Sequence, residues 1–250
     1  MKDLGTLLDD ALQAIFRPKA VVRLEVVRIF APLAILGFMS TRLAHPIDWL
    51  ANTGFRIPDI AGDWRQRAHF TPVDPWLAYT VCVAIVVSAL ATAAGAFTRW
   101  SAGLLAALLV YVALADRLSA FTVSKIGPVI VLALALSPSG TRWSVDAWRR
   151  KRKDKAYVPP VLVGGGCVSF FQLFLPVFYF SSGIYKARGD WFEHYNPTVL
   201  FTHLHDSYQT PVSWLLANHL PAFAWTVLQW ITLVFEVGAP LWFALRWTRT

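Results

Sequence analysis

Apolar residues run along this chain in long blocks separated by short polar stretches, and the block lengths predict its elements. Leu24 to Leu43 is the first block, interrupted by Glu25 and Arg28, which stand three apart and can pair on one helix face. Trp76 to Thr98 and Trp100 to Thr122 follow, with a tight turn expected at Arg99. Ile126 to Ser139 is short and crosses a bilayer only with help from flanking residues or in a protein-surrounded region. Val161 to Lys186, of which the 25 residues to Tyr185 carry no formal charge, and Ala222 to Leu245, with Glu236 as its one acid, complete the set. At about 1.5 Å per residue, roughly 20 apolar residues cross a hydrocarbon layer of about 30 Å. The pattern therefore predicts an all-α polytopic membrane helix bundle of about six transmembrane helices, forming a single domain over residues 1–250.

The polar stretches divide further. Leu4, Leu7, Leu8, Leu12 and Ile15 recur at helical spacing opposite Asp3, Asp9 and Asp10, which predicts an amphipathic helix on the membrane surface rather than a cleavable signal peptide. Ala44 to Pro75 is too polar to span, and Ala187 to Pro221, rich in aromatic, His and Pro residues, reads as an external re-entrant or interfacial loop. "VGGGC" at Val163 to Cys167 lacks the ending a phosphate loop needs and is expected to let helices pack closely within a span.

Composition supports the membrane assignment: 56% of residues are hydrophobic and 15% charged, against about 25% charged in soluble domains, and the mean hydropathy is +0.48. The net charge of +8 would suggest nucleic acid in a soluble protein. Here Arg142, Arg149, Arg150, Lys151, Arg152, Lys153 and Lys155 share one loop between apolar blocks, which is a topology signal; lipids, not nucleic acid, are the expected surroundings. With alternating spans, one side collects 14 Lys and Arg and the other eight. Both termini are therefore expected in the cytoplasm and Lys186 outside. Cys82 and Cys167 each lie in an apolar block and make no disulfide framework.

Candidate chemistry concentrates in the last two blocks. Gln172, Tyr179 and Lys186 fall seven apart, and Ser182 joins them, so one face of the fifth block is a polar stripe that could line a cofactor pocket; Pro176 and Gly183 can bend it. A lysine at a span end ordinarily snorkels to the headgroups. An anchor has no need of polar residues beneath it, so the stripe favours a reagent. Gln229, Thr232 and Glu236 share a face of the last block, and an acid in hydrocarbon costs about 2.5 to 3.5 kcal/mol, so Glu236 needs a partner. Arg28 is the expected one, in a structural ion pair. His194, His203, His205 and Asp206 invite a metal, but His-x-His points one way only on a strand, and no metal is expected.

Beyond these patterns, "FYFSSGIYKARGDWFEHY" resembles the segment of vitamin K-dependent gamma-carboxylases that holds their catalytic lysine, through Tyr179, Phe180, Gly183, Lys186, Asp190 and Trp191. "WSVD" at Trp143 to Asp146 resembles the same proteins, and "LEVVRI" and "FEVGAP" resemble helices of the wider horizontally transferred transmembrane (HTTM) domain family. The resemblance implies that Lys186 is a base facing the lumenal or external side. In the carboxylases that amine deprotonates a hydroquinone, whose reaction with oxygen generates a base able to remove a glutamate gamma proton before carbon dioxide adds. The implied cofactor is a quinol like vitamin K, and the implied partner an exported peptide or protein substrate. Some bacterial relatives are linked to maturation of secreted peptide toxins, and a bacterial cytoplasmic membrane is the expected location.

Departures from the carboxylases are equally specific. Their catalytic-region histidine upstream of "WSVD" is replaced by "FTVSKIG", with Lys125 as its ionisable group, nothing corresponds to their large lumenal part, and the chain stops at "LRWTRT" where the family usually continues for further helices, so a short or truncated member is expected. The leading expectation is a quinol-linked lysine-base enzyme with lyase or oxygenase chemistry that modifies an exported peptide. The alternative is a non-catalytic membrane subunit, or a quinone-binding or toxin-maturation accessory protein. The state of Lys186 separates them: solvated and paired with Asp190 or Glu193 it is an anchor, whereas in an apolar pocket beside Tyr179 with no acid in contact it is a reagent.

Overall fold

A computed structural model describes residues 4–54, 73–115, 122–192, 198–207 and 211–244. They form two compact units, Met1–Ser169 and Phe170–Thr250. In the first, α1 (Leu4–Phe16) leads through β1 (Lys19–Ala20) into α2 (Val22–Ala44), and α3 (Pro46–Leu50) precedes α4 (Pro75–Ala94), α5 (Thr98–Ala115) and α6 (Thr122–Ala135). Then come α7 (Val145–Lys153), β2 (Leu162–Val163) and the start of α8 (Gly166–Arg188).

Both faces of α4 are apolar. Ala78, Cys82, Ile85 and Ala89 are buried against the core, while Tyr79, Val83, Val87 and Leu90 stand exposed. A water-soluble helix would carry polar residues on its outer face, so this one belongs in lipid. Small residues at the contact surface, Ala89 on α4 with Ala102 and Ala106 on α5, let the backbones approach closely. Leu105, Leu109 and Val112 fill the space toward Val131 of α6 and Ile35 and Met39 of α2.

Helix ends differ from the sequence pattern. The turn between α4 and α5 lies at Gly95 to Phe97, not at Arg99: Gly95 closes α4 with φ +70°, and Phe97 also adopts a positive φ, +48°. Arg99 sits in the first turn of α5, and Thr122 opens α6 instead of closing α5. "VGGGC" is likewise not inside a span. Val163 ends β2, which pairs antiparallel with β1, and α8 begins only at Gly166. A Cβ at Gly165 would run into the carbonyls of Ile15 and Arg17, so this glycine serves a close turn contact with the chain at the end of α1.

Among the described residues, three helices are long and apolar enough to cross a membrane: α4, α5 and α8. α2 is as long but carries Arg23, Glu25, Arg28 and Arg42, and α6 falls short.

The second unit holds the rest of α8, a 3-10 turn (Asp190–Phe192), α9 (Val199–Thr202), a π turn (His203–Ser207) and α10 (Pro211–His219). It ends with α11 (Ala222–Val237), also short of a full span, and α12 (Ala239–Ala244), so the final block is broken at Gly238. The expected external loop is thus a series of short helices. Its first part packs along α11: Phe192 meets Trp230 at 5.2 Å between ring centroids, and Phe201 meets Trp225 edge-on at 5.3 Å.

Candidate functional site

Two groups of buried charge stand out, one in each unit. In the first unit Glu25 and Arg28 are fully buried on α2. The Glu25 carboxylate accepts the backbone N–H groups of Arg142 (2.5 Å) and Trp143 (3.1 Å). Arg28 donates to the carbonyls of Thr92 (3.0 Å) and Ala93 (2.5 Å) at the end of α4, and to that of Trp143. Helix ends leave carbonyls without intrahelical partners, so a buried guanidinium here satisfies α4 and ties it to the loop before α7.

Asp146 completes this clasp. Its carboxylate accepts from Phe97 N (2.9 Å), Thr98 N (2.8 Å) and Thr98 Oγ1 (2.8 Å), capping α5. Partial burial would raise its pKa, but these hydrogen bonds and the nearby Arg150 together hold it below the ordinary carboxylate value. Ser144 caps α7 through Ala147 N at 2.9 Å. The "LEVVRI" and "WSVD" segments therefore build one structural joint. It also gathers the α4–α5 turn and the basic loop at one end of the unit.

The second unit holds Lys186. Its Nζ lies 2.5 Å from Glu236 Oε1 and 4.6 Å from the centre of the Trp191 ring. The lysine side chain is 25% exposed and the glutamate side chain 10%. Contact is this close because Gly183, one turn before the lysine, lets α8 cross α11: a Cβ there would stand 2.7 Å from Val237 N and 2.9 Å from Glu236 Cβ. Gln229, two turns before Glu236, fixes the other side. Its Oε1 accepts from Leu200 N (3.1 Å), and its Nε2 donates to the Trp191 carbonyl (2.8 Å). The ring over the ammonium is thereby pinned by its own backbone.

The second oxygen, Glu236 Oε2, is buried and accepts no hydrogen bond from the described residues. This site differs from the expected one in its acid. Glu236 pairs with Lys186 rather than Arg28, and Arg28 spends its donors on carbonyls. Nor does Asp190 hold the lysine, while Glu193 lies outside the described residues. The ammonium is neither at an open helix end nor free of acid.

The polar stripe of α8 does not converge on Lys186. Ser182 is one turn below it, but Tyr179 turns its ring edge to Phe235 at 5.7 Å, and Gln172, exposed, is about 21 Å away along the helix. An apolar groove of about 550 Å³ runs along another face of α11, lined by Phe223, Val227, Trp230, Ile231 and Val234, and neither Lys186 nor Glu236 borders it. His203 and His205 lie on a π turn, where His203 Nδ1 bonds the Val199 carbonyl (3.0 Å) and His205 stacks on Phe201. His194 and the Asp206 side chain lie outside the described residues, among which no three potential ligands converge.

A helix apolar on its buried and exposed faces alike, α4, together with α5 and α8, which are also long and apolar enough to cross a bilayer, marks an integral membrane helix bundle. The match to the HTTM domain family covers residues 16–250, nearly the whole chain, and the chain belongs to that family. No curated protein and no solved structure matches it.

Proposed function

We propose that this protein is a quinol-linked membrane enzyme in which the Lys186–Glu236 couple handles the proton and the modified substrate is an exported peptide. The observation that carries this reading is the 2.5 Å pair beneath Trp191, on a segment that resembles the lysine segment of gamma-carboxylases. A lysine acts as a base only as the neutral amine. Glu236 is the immediate acceptor for the proton the ammonium must shed, and its transfer leaves two neutral groups, which a buried site tolerates better than separated charges. The amine can then take the proton of a substrate hydroxyl, while Glu236, now carrying the lysine's proton on its orphaned Oε2, can donate a hydrogen bond to the oxygen anion left behind.

These groups fit a quinol head: Lys186 and Glu236 would hold its hydroxyl, and the Trp191 ring beside the ammonium offers it an aromatic face. A bound quinol would supply the acidic hydroxyl and the electrons that reduce oxygen. Trp191 keeps the ammonium in place between turnovers through its ring face. The charge asymmetry supports a cytoplasmic position for the α7 end of the first unit, and an external one for Lys186, in a bacterial membrane.

A second reading, a non-catalytic subunit or accessory protein, draws on the same contact, since a Lys–Glu pair can simply knit α8 to α11. Purification with native lipids followed by mass spectrometry tests the first reading. It expects a quinone to travel with the wild type and to be lost in Lys186→Ala, and quinol-driven oxygen uptake by wild-type membranes only. Equal uptake in membranes without the protein favours the second.

A further inference from the structure

The basic helix α7 is more than a topology signal, because its fold gives it a shaped face. Ser144 caps it, and Asp146 fastens it to the α4–α5 turn. The turn and the helix enclose a concavity of about 430 Å³ lined by Phe97, Trp148, Arg149, Arg150, Arg152 and Lys153, with Asp146 at its edge. That size suits a headgroup better than a protein surface. Asp146, the acid in it, accepts three hydrogen bonds from the start of α5 and offsets part of the Arg150 charge, which leaves Arg149, Arg152 and Lys153 in excess.

Arg150 donates to the Tyr157 hydroxyl (3.4 Å), whereas Arg149 and Arg152 are oriented by aromatic rings. The Arg149 guanidinium lies 4.5 Å over the Phe97 ring and that of Arg152 4.3 Å over the Trp148 ring. No carboxylate among the described residues forms a salt bridge with Arg149, Arg152 or Lys153. Stacked guanidiniums with free N–H forks are suited to bidentate phosphate binding. The concavity also stands at the end of two spans. Trp100, Trp143, Trp148 and Phe97 are all more than half exposed there, which is where aromatic side chains meet the headgroup layer.

We propose that this face of α7 binds the headgroup of one anionic phospholipid, with the phosphate held by Arg149, Arg150, Arg152 and Lys153 and the glycerol root lying on Phe97 and Trp148. The occupant is lipid rather than free phosphate because the exposed aromatic residues give its apolar part a surface, and juxtamembrane basic clusters attract anionic leaflets.

The test uses the full chain in mixed micelles, with phosphatidylglycerol or phosphatidylcholine added and binding read by native mass spectrometry and thermal shift. The double variant Arg150→Gln/Lys153→Gln removes two charges from the concavity. Lys151→Gln/Lys155→Gln removes two from the same loop outside it, and circular dichroism checks that both keep their helix content. The expected result is a wild-type preference for phosphatidylglycerol that falls at least tenfold in the first variant and by less than threefold in the second, and that millimolar inorganic phosphate does not abolish. Equal losses in the two variants, or no preference in the wild type, would overturn the proposal. Displacement by inorganic phosphate would make the site a plain anion site, and binding of a polyglutamate peptide without lipid selectivity would make it a protein-docking surface; either result also overturns it.

Discussion

Replacing Glu236 with leucine leaves the Lys186 ammonium, three-quarters buried, without its acid. At 2.5 Å and an effective dielectric of about 20, the two charges attract by roughly 7 kcal/mol, most of it offset by desolvation. Breaking a buried pair ordinarily costs about 3 to 5 kcal/mol. Lys186 keeps a quarter of its side chain exposed and can turn outward, so the expected loss is about 2 to 3 kcal/mol. Glu236→Gln, which retains an acceptor, should cost about half as much. The double variant Lys186→Met/Glu236→Leu, with both charges gone, should recover to within about 1 kcal/mol of wild type. SDS-driven unfolding in mixed micelles measures each corner of this cycle, and a coupling of at least about 1.5 kcal/mol is expected. A coupling below about 0.5 kcal/mol would refute the pairing.

Glu25→Ala strips the acceptor from the backbone N–H groups of Arg142 and Trp143 and leaves Arg28 buried without its acidic neighbour; the same unfolding assay should show a loss of about 3 to 5 kcal/mol, with Glu25→Gln clearly milder. Gly183→Val forces a side chain onto the Val237 backbone, and should destabilise by about 1 to 3 kcal/mol while lowering any activity that needs the Lys186–Glu236 contact. Asp146 has a depressed pKa in the folded protein, so its contribution is complete above the ordinary carboxylate value of about 3.9 and fades as pH falls through the folded value. Thermal scans should therefore show the gap between wild type and Asp146→Asn at its widest near pH 6, narrowing on acidification; a gap that widens instead contradicts the cap.

Helix α4 was legible in the sequence because nearly every residue in it is apolar, inside face and outside alike. Its end was not, since hydropathy does not register the backbone reversal that Gly95 and Phe97 make. The useful signal was chemical: Thr98 as a helix start, with an acid elsewhere in the chain to cap it. Lys186 and Glu236 could both be singled out as costly charges, yet their partnership could not be read from periodicity, which carries nothing about which helices cross. Gly183 was the available clue, a small residue one turn from the lysine. Glu25 and Arg28 stand three apart and can pair on one helix face; in the structure both grip the backbone near Trp143, a role that only the returning loop reveals. His203 and His205 would point one way only on a strand, and their segment winds into a π turn.

If Lys186 is a reagent whose proton passes to Glu236, as proposed, Lys186→Arg is the decisive variant. Guanidinium keeps the positive charge and can still pair with Glu236, but it does not deprotonate near neutral pH. The measurement is quinol-driven oxygen uptake or peptide modification in membranes holding equal amounts of inserted wild type and Lys186→Arg. With the proposed role, the arginine variant should insert normally, keep most of its resistance to SDS and lose at least 99% of turnover, about 2.7 kcal/mol or more of transition-state stabilisation. Near-normal turnover in Lys186→Arg would contradict it and leave the pair as a structural link between α8 and α11.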